Sequence, residues 1–384
     1  MPHEKLPINK DVLIWARTSI GLSVDDVAHK FYNKTSKDIQ EWEKGITSPT
    51  YSQLERLAHE IYKRPLAVFF FPEVPSEGSP KTEFRTLPDA VLNELPPDLI
   101  KLYRRGKLFQ LYLEELYEGQ KPVQPSLIDS FELNERLDFA SIRRELGITI
   151  EEQAGWHSTE TAFKQWRDAF EAKGVFVFKD AFKNDEYSGF CLYDEKYPVI
   201  IVNNSMPDSR QVFTLFHELA HLLFRSGGVD FRSRGVVRSF EGYYLNTEIA
   251  CNRFANLFLV PQDTFDSFRF ERTESYFERL ADYFSVSREV ILRNCFDRGF
   301  VNEQYYSEMS AKWIEQAKEH KEEGSGGNYY YSQRAYLGDK YIGLVYGKYY
   351  QNKITIDTVA EYLNVKVKNL PAFEYMVMEG GKPR

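Results

Sequence analysis

The run FTLFHELAHLLF, residues 213–224, constrains the fold more than any other stretch of the chain. Its apolar residues fill several sides of a helix, as in a helix buried within a domain rather than laid on its surface. His217, Glu218 and His221 nevertheless sit inside it. A buried polar group without a partner costs on the order of 1–3 kcal/mol, so each of the three must be satisfied from within the interior. Positions i and i+4 share one helical face, so both imidazoles can reach a single metal ion. Ser205, Pro207 and Asp208 supply start signals and Gly227 and Gly228 a stop, which predicts about five turns.

Glu218 lies beside the first histidine and points slightly aside, the offset at which a carboxylate reaches a water on the metal rather than the metal itself. A catalytic zinc usually takes three protein ligands and keeps one position open. A third histidine six residues after the second is ruled out, because that position is Gly227. The next carboxylates are Asp230, Glu241 and Glu248. Only Glu248 lies within a second apolar helix, LNTEIACNRFANLFLVP, where an uncompensated charge would be costly, so it is the preferred third ligand; Arg253 is its alternative partner.

A chain of 384 residues suggests two or three domains. A net charge of -8 and a pI near 5.6 argue against a generally basic, nucleic-acid-coating surface, though a small DNA-reading module can sit inside an acidic chain. The three cysteines, Cys191, Cys251 and Cys295, form no CxxC pair, which excludes a thiolate zinc site and fits a reducing compartment. With neither an apolar leader nor a membrane-length apolar run, the expectation is a cytoplasmic protein without membrane contact.

Along the chain, residues 1–72 read as a compact all-helical domain, 73–88 as a Pro/Ser/Gly linker, 89–322 as a larger domain and 323–384 as a tyrosine-rich helical region. Ser23 with Asp26 forms a capping-box pattern, and the Gly of EKGITSP a helix stop. GVFVFKD, YSGFCLYD and YPVIIVNN predict three strands of a small sheet, the last feeding the 213–224 helix. EEGSGGN reads as a flexible joint, and LADYFSV and VAEYLNV echo each other. The fold class is therefore α+β, mostly helical.

PVIIVNNSMPDSRQVFTLFHELAHLLF followed by TEIACNRFANLFLVP closely resembles the ImmA/IrrE family of zinc metallopeptidases, over roughly residues 160–300. That resemblance implies a gluzincin-like fold, with Zn2+ held by His217, His221 and Glu248 and Glu218 catalytic. Tyr187, Tyr243, Tyr244 and His157 are all candidates for stabilising the oxyanion, with nothing to select among them. GLSVDDVA, WEKGITSP and QLERLAHEI resemble the XRE-type helix-turn-helix family. By that resemblance the helix starting near Thr35 is the recognition helix, with Ser36, Lys37, Gln40 and Lys44 facing DNA and Glu43 supporting the fold. Residues 1–72 carry ten basic and nine acidic side chains, a net of +1, against -9 for the remainder. Such weak electrostatics would be partly offset by a homodimer with twice the phosphate contacts.

The resulting expectation is a zinc endopeptidase and transcription regulator that cleaves one specific protein, a repressor or antitoxin-like partner, with operator DNA as a second partner. A non-proteolytic DNA-binding regulator or antitoxin with a zinc-stabilised sensor domain is the alternative. The tyrosine-rich region is expected to pack onto the protease domain, with a partner-docking surface as its other use.

Overall fold

The computed structural model describes residues 6–19, 22–31, 33–62, 64, 66–75, 96–131, 139–182, 186–231, 242–319 and 329–379. Most of the expected linker, and the EEGSGGN joint from Glu322 on, lie outside the described residues. The chain divides into two compact units, residues 1–105 and 106–384.

In the first unit, α1 (Lys10–Thr18), α2 (Val24–His29), α3 (Ser36–Glu43) and α4 (Tyr51–Arg56) surround a core that includes Val12, Leu13, Val27, Ile39, Trp42 and Leu54. Each of the last three helices starts with a capping box: Ser23 with Asp26, Thr35 with Asp38, and Thr50 with Gln53. These reciprocal bonds satisfy backbone N–H groups that would otherwise be orphaned, which is how helices of six to eight residues persist. Gly45, at φ 72°, follows α3 in the left-handed region, as the sequence predicts. Glu43 is buried and accepts from Arg17 Nε at 2.6 Å and Nη2 at 2.9 Å, a bidentate pair that ties α3 to α1. It therefore faces the interior.

α5 (Pro97–Leu116) carries the chain into the second unit. Short helices lead to α6 (Thr159–Ala172), then β1 (Phe176–Asp180), β2 (Tyr187–Leu192) and β3 (Val199–Asn203) appear where the sequence places them. The sheet has a fourth strand that the sequence reading missed, β4 (Gly228–Phe231), and its order is β1-β3-β2-β4. β1 and β3 pair in parallel, while β2 is antiparallel to both β3 and β4. β2 and β3 are buried throughout, consistent with their continuous apolar runs.

α7 (Asp208–Leu223) crosses this sheet, and α8 (Gly242–Leu259) packs against α7. α7 stops at Leu223 rather than at the glycines; Arg225 makes the turn in the left-handed region at φ 54°, and Gly228 already belongs to β4. Then follow α9 (Glu274–Phe284), α10 (Arg288–Asp297), α11 (Glu303–Glu319), α12 (Tyr329–Leu337), α13 (Asp339–Tyr350), α14 (Ile356–Leu363) and α15 (Leu370–Glu379).

The tyrosine-rich region packs within this same unit. Phe109 of α5 stacks on Phe178 of β1 at 3.8 Å, and Tyr341 of α13 meets Phe178 edge-on at 5.1 Å. Arg167 of α6 pairs with buried Glu171 at 3.1 Å and donates to the carbonyls of Ala335 at 2.8 Å and Tyr336 at 3.3 Å, fixing the end of α12 against α6.

Candidate metal centre

α7 supplies two imidazoles and α8 one carboxylate. His217 Nε2 and His221 Nε2 lie 3.2 Å apart, and Glu248 approaches them through Oε2 at 3.4 Å from His217 and Oε1 at 3.2 Å from His221. All three residues are buried, with one ligand atom from each within 4.8 Å of the others. The fold thus brings together three of the nominated residues, and the carboxylate beside the imidazoles is that of Glu248, in a group that could hold a metal ion. Glu241 lies outside the described residues, and Arg253 is exposed.

This donor set fits zinc. Metal–ligand distances of about 2.0–2.1 Å put neighbouring ligands of a tetrahedral ion about 3.3 Å apart, which the separations here match. Nδ1 of His217, Nδ1 of His221 and Oε1 of Glu248 are buried without hydrogen-bond partners, and both carboxylate oxygens of Glu218 are buried without an N–H or O–H donor. Of these, a cation bound by the two Nε2 atoms would gather Glu248 Oε1, whose burial is otherwise costly, while both Nδ1 atoms and the Glu218 oxygens stay outside its ligand set. Glu218 follows His217 in sequence and no N–H or O–H donor among the described residues reaches its oxygens; the buried Cys191 thiol is its one hydrogen-bonding neighbour, a weak donor that leaves the carboxylate able to act on a molecule held at the site.

Burial pushes the Glu218 carboxyl up to about 8, the His221 imidazole opposes this, and the charges on Asp230 and Glu248 reinforce it. Burial also pushes Glu248 up, but the His221 charge and hydrogen bonds from both imidazoles outweigh it and bring Glu248 down to about 2. His217 is raised even though burial lowers it, because Asp230 and Glu248 favour its proton. A metal ion would replace that proton, so metal uptake releases acid.

Four further residues shape the centre, and none was nominated from sequence as doing so. Arg210 and Thr214 precede His217 and His221 on α7 at helical spacing, which is the signal that could have found them. Arg210 Nη2 reaches both oxygens of Asp230 at 2.7 Å, its Nε reaches Ser188 at 3.0 Å, and Thr214 donates to Asp230 at 2.8 Å. Asp230 is therefore occupied, which is why it is not a ligand. Gly228 lets β4 press onto His221, since a Cβ there would overlap the imidazole ring. No spacing rule marks that glycine. The strand-ending asparagine has a structural use: Asn203 donates to the Tyr187 carbonyl at 2.9 Å and accepts from Ser205 N at 3.0 Å, forming the turn into α7.

Residues 170–296 match the family model of the IrrE N-terminal-like domain, Peptidase_M78. The match spans the whole sheet, α7 and α8, so the metallopeptidase-like character rests on the segment that builds the centre. No curated protein matches the chain.

The remaining nominees are placed as follows. His157 is exposed and paired with Asp282 at 2.8 Å, outside the cluster of ligands. Tyr187 is buried in β2, and the side chains of Tyr243 and Tyr244 lie outside the described residues. In the first unit Lys37 and Gln40 are exposed on α3 and Lys44 just after it. Ser36 is not free, because its hydroxyl bonds to Asp25 of α2. No described helix is long and apolar enough to cross a membrane.

Proposed function

We infer that the second unit is a zinc-dependent endopeptidase acting on one protein partner, and that the first unit brings it to DNA as part of a transcription regulator. One observation carries the peptidase reading: a buried carboxylate, Glu218, with no N–H or O–H donor to either oxygen and only the Cys191 thiol beside it, next to two histidines and a glutamate whose ligand atoms lie within 4.8 Å of one another. His217, His221 and Glu248 would hold the zinc. When bound, zinc supplies Lewis acidity toward a peptide carbonyl and makes water easier to deprotonate. Glu218 accepts the proton from the attacking water and returns it to the leaving amine. The described sheet ends at β4, whose outer edge offers backbone groups to an extended peptide as an added strand.

Replacing Glu218 by Gln tests this. Cleavage should fall by about 10²–10⁴-fold, while zinc content and DNA binding stay intact. N-terminal proteomics of cells making the wild type or Glu218→Gln would reveal the cleaved partner as a new N-terminus present only with the wild type. A repressor or antitoxin-like protein is the expected class.

The complete burial of the ligands favours a second reading, a zinc-stabilised sensor domain in a non-proteolytic regulator. Under it, derepression by the Glu218→Gln protein equals that by the wild type.

The DNA reading rests on the exposed side chains of Lys37 and Gln40 on α3 and of Lys44 just after it. Phosphate contacts by the two lysines predict that affinity falls steeply with salt, and that Lys37→Ala lowers the slope by about one unit.

A further inference from the structure

α7 lies on β2, and the two meet at successive levels. At the first, Gly189 lets the strand press onto the helix: a Cβ there would lie 2.6 Å from Thr214 Cγ2. Cys191 is two residues further on, so its side chain leaves the sheet on the same face, toward α7. The neighbouring strand fixes the direction. Gly189 pairs with Asp230, which accepts from Thr214, and Cys191 pairs with Gly228, which lies against the His221 ring. Two residues of strand advance about 6.6 Å and four residues of helix about 6 Å. The step from Gly189 to Cys191 therefore matches the step from Thr214 to Glu218, and Cys191 stands level with Glu218 and His221.

The sulfur is enclosed there. Cys191 is fully buried, in an apolar cluster that includes Ile200, Val202, Leu219 and Leu222. Its acceptors are the Ser226 carbonyl, at 3.8 Å, and the Glu218 carboxylate. Burial pushes the thiol up, so the proton stays on sulfur. A thiol has one proton to give, and a bond to an ionised acceptor is roughly twice as strong as one to a neutral carbonyl.

We propose that Cys191 is a positioning residue for Glu218: its S–H donates to the carboxylate and holds it turned toward the molecule on which it acts. The use of that contact rests on the peptidase reading; the contact itself does not. Neither Glu218 oxygen receives an N–H or O–H from the described residues, so without the thiol the carboxylate is free to rotate away from the attacking water. The choice of sulfur follows from the task. A weak donor orients the group while competing little for the electron pair that must take the proton.

Infrared spectra of the full chain read the contact directly, because S–H stretches fall where proteins absorb little else. The three cysteines are all free, so the band lost in Cys191→Ala belongs to Cys191. Glu218→Gln, which keeps the shape and removes the charge, should move that band to higher frequency. A band that stays in place overturns the proposal, and this measurement needs no substrate. Kinetics on the partner found by N-terminal proteomics test the use, with thermal melts as the control for folding. Cys191→Ala should lower kcat about 10-fold with KM unchanged, and Cys191→Ser, which restores a donor, should recover most of the loss. Zinc content should be unchanged in both, since Cys191 is not among the clustered ligands. Wild-type rates from Cys191→Ala overturn the positioning role even where the band shifts. A wild type that cleaves nothing removes the peptidase reading and the positioning role with it, while the infrared band still decides the contact.

Discussion

At the scale of single residues, the centre depends on what each side chain cannot do elsewhere. Removing Glu248 leaves two imidazoles facing each other in an apolar interior, so Glu248→Ala should lose most of its zinc, read by elemental analysis as a drop from about one ion per chain. His221→Ala should do the same. Gly228→Ala makes no change in charge, yet its methyl must displace the His221 ring. It should cost about 1–3 kcal/mol of stability and weaken zinc retention together, and a variant that keeps both would show that β4 yields easily. Of these residues, the two histidines and Glu218 were legible from spacing alone. Glu248 was preferred to Asp230 on the residues alone, from its place in an apolar helix, and the structure adds a reason, since Arg210 and Thr214 occupy Asp230.

Among the elements, the Ser23–Asp26 capping box was legible because it is local, with donor, acceptor and helix start within four residues, and the structure adds two boxes of the same kind at Thr35 and Thr50. Asp38 illustrates the consequence. Hydrogen bonds from Thr35 and the Lys34 ammonium bring its carboxyl down from 3.8 to about 2. A depressed folded pKa contributes stability that is present above 3.8 and lost as pH falls through about 2. An NMR titration of the Asp38 carboxyl should therefore have its midpoint near 2, and a midpoint near 3.8 would mean the box is not formed in solution. β4 was not legible. Four residues following a glycine pair look like a helix stop, and only pairing with β2 makes them a strand.

For the whole molecule, the two units predict separable behaviour. The proposed zinc centre joins α7 to α8 within the second unit, so on that reading a chelator should lower the melting transition of residues 106–384 and leave that of the head in place. Zinc at 100 times its dissociation constant stabilises by about 2.7 kcal/mol, which fixes the scale of the shift. A single transition that moves as one body would show that the units unfold together.

The sequence by itself determined the α+β class, three of the four strands, the helix caps and the HExxH helix, because these follow from periodicity and from bonds between near neighbours. It also carried the echo of LADYFSV in VAEYLNV, whose first, fifth and seventh residues are buried in both. Only the tertiary structure decided that α8 delivers Glu248 to α7, that Asp230 is spent on Arg210, and that Gly228 lies against an imidazole. Each of those depends on segments far apart in the chain, where packing and burial, rather than local pattern, determine which groups meet.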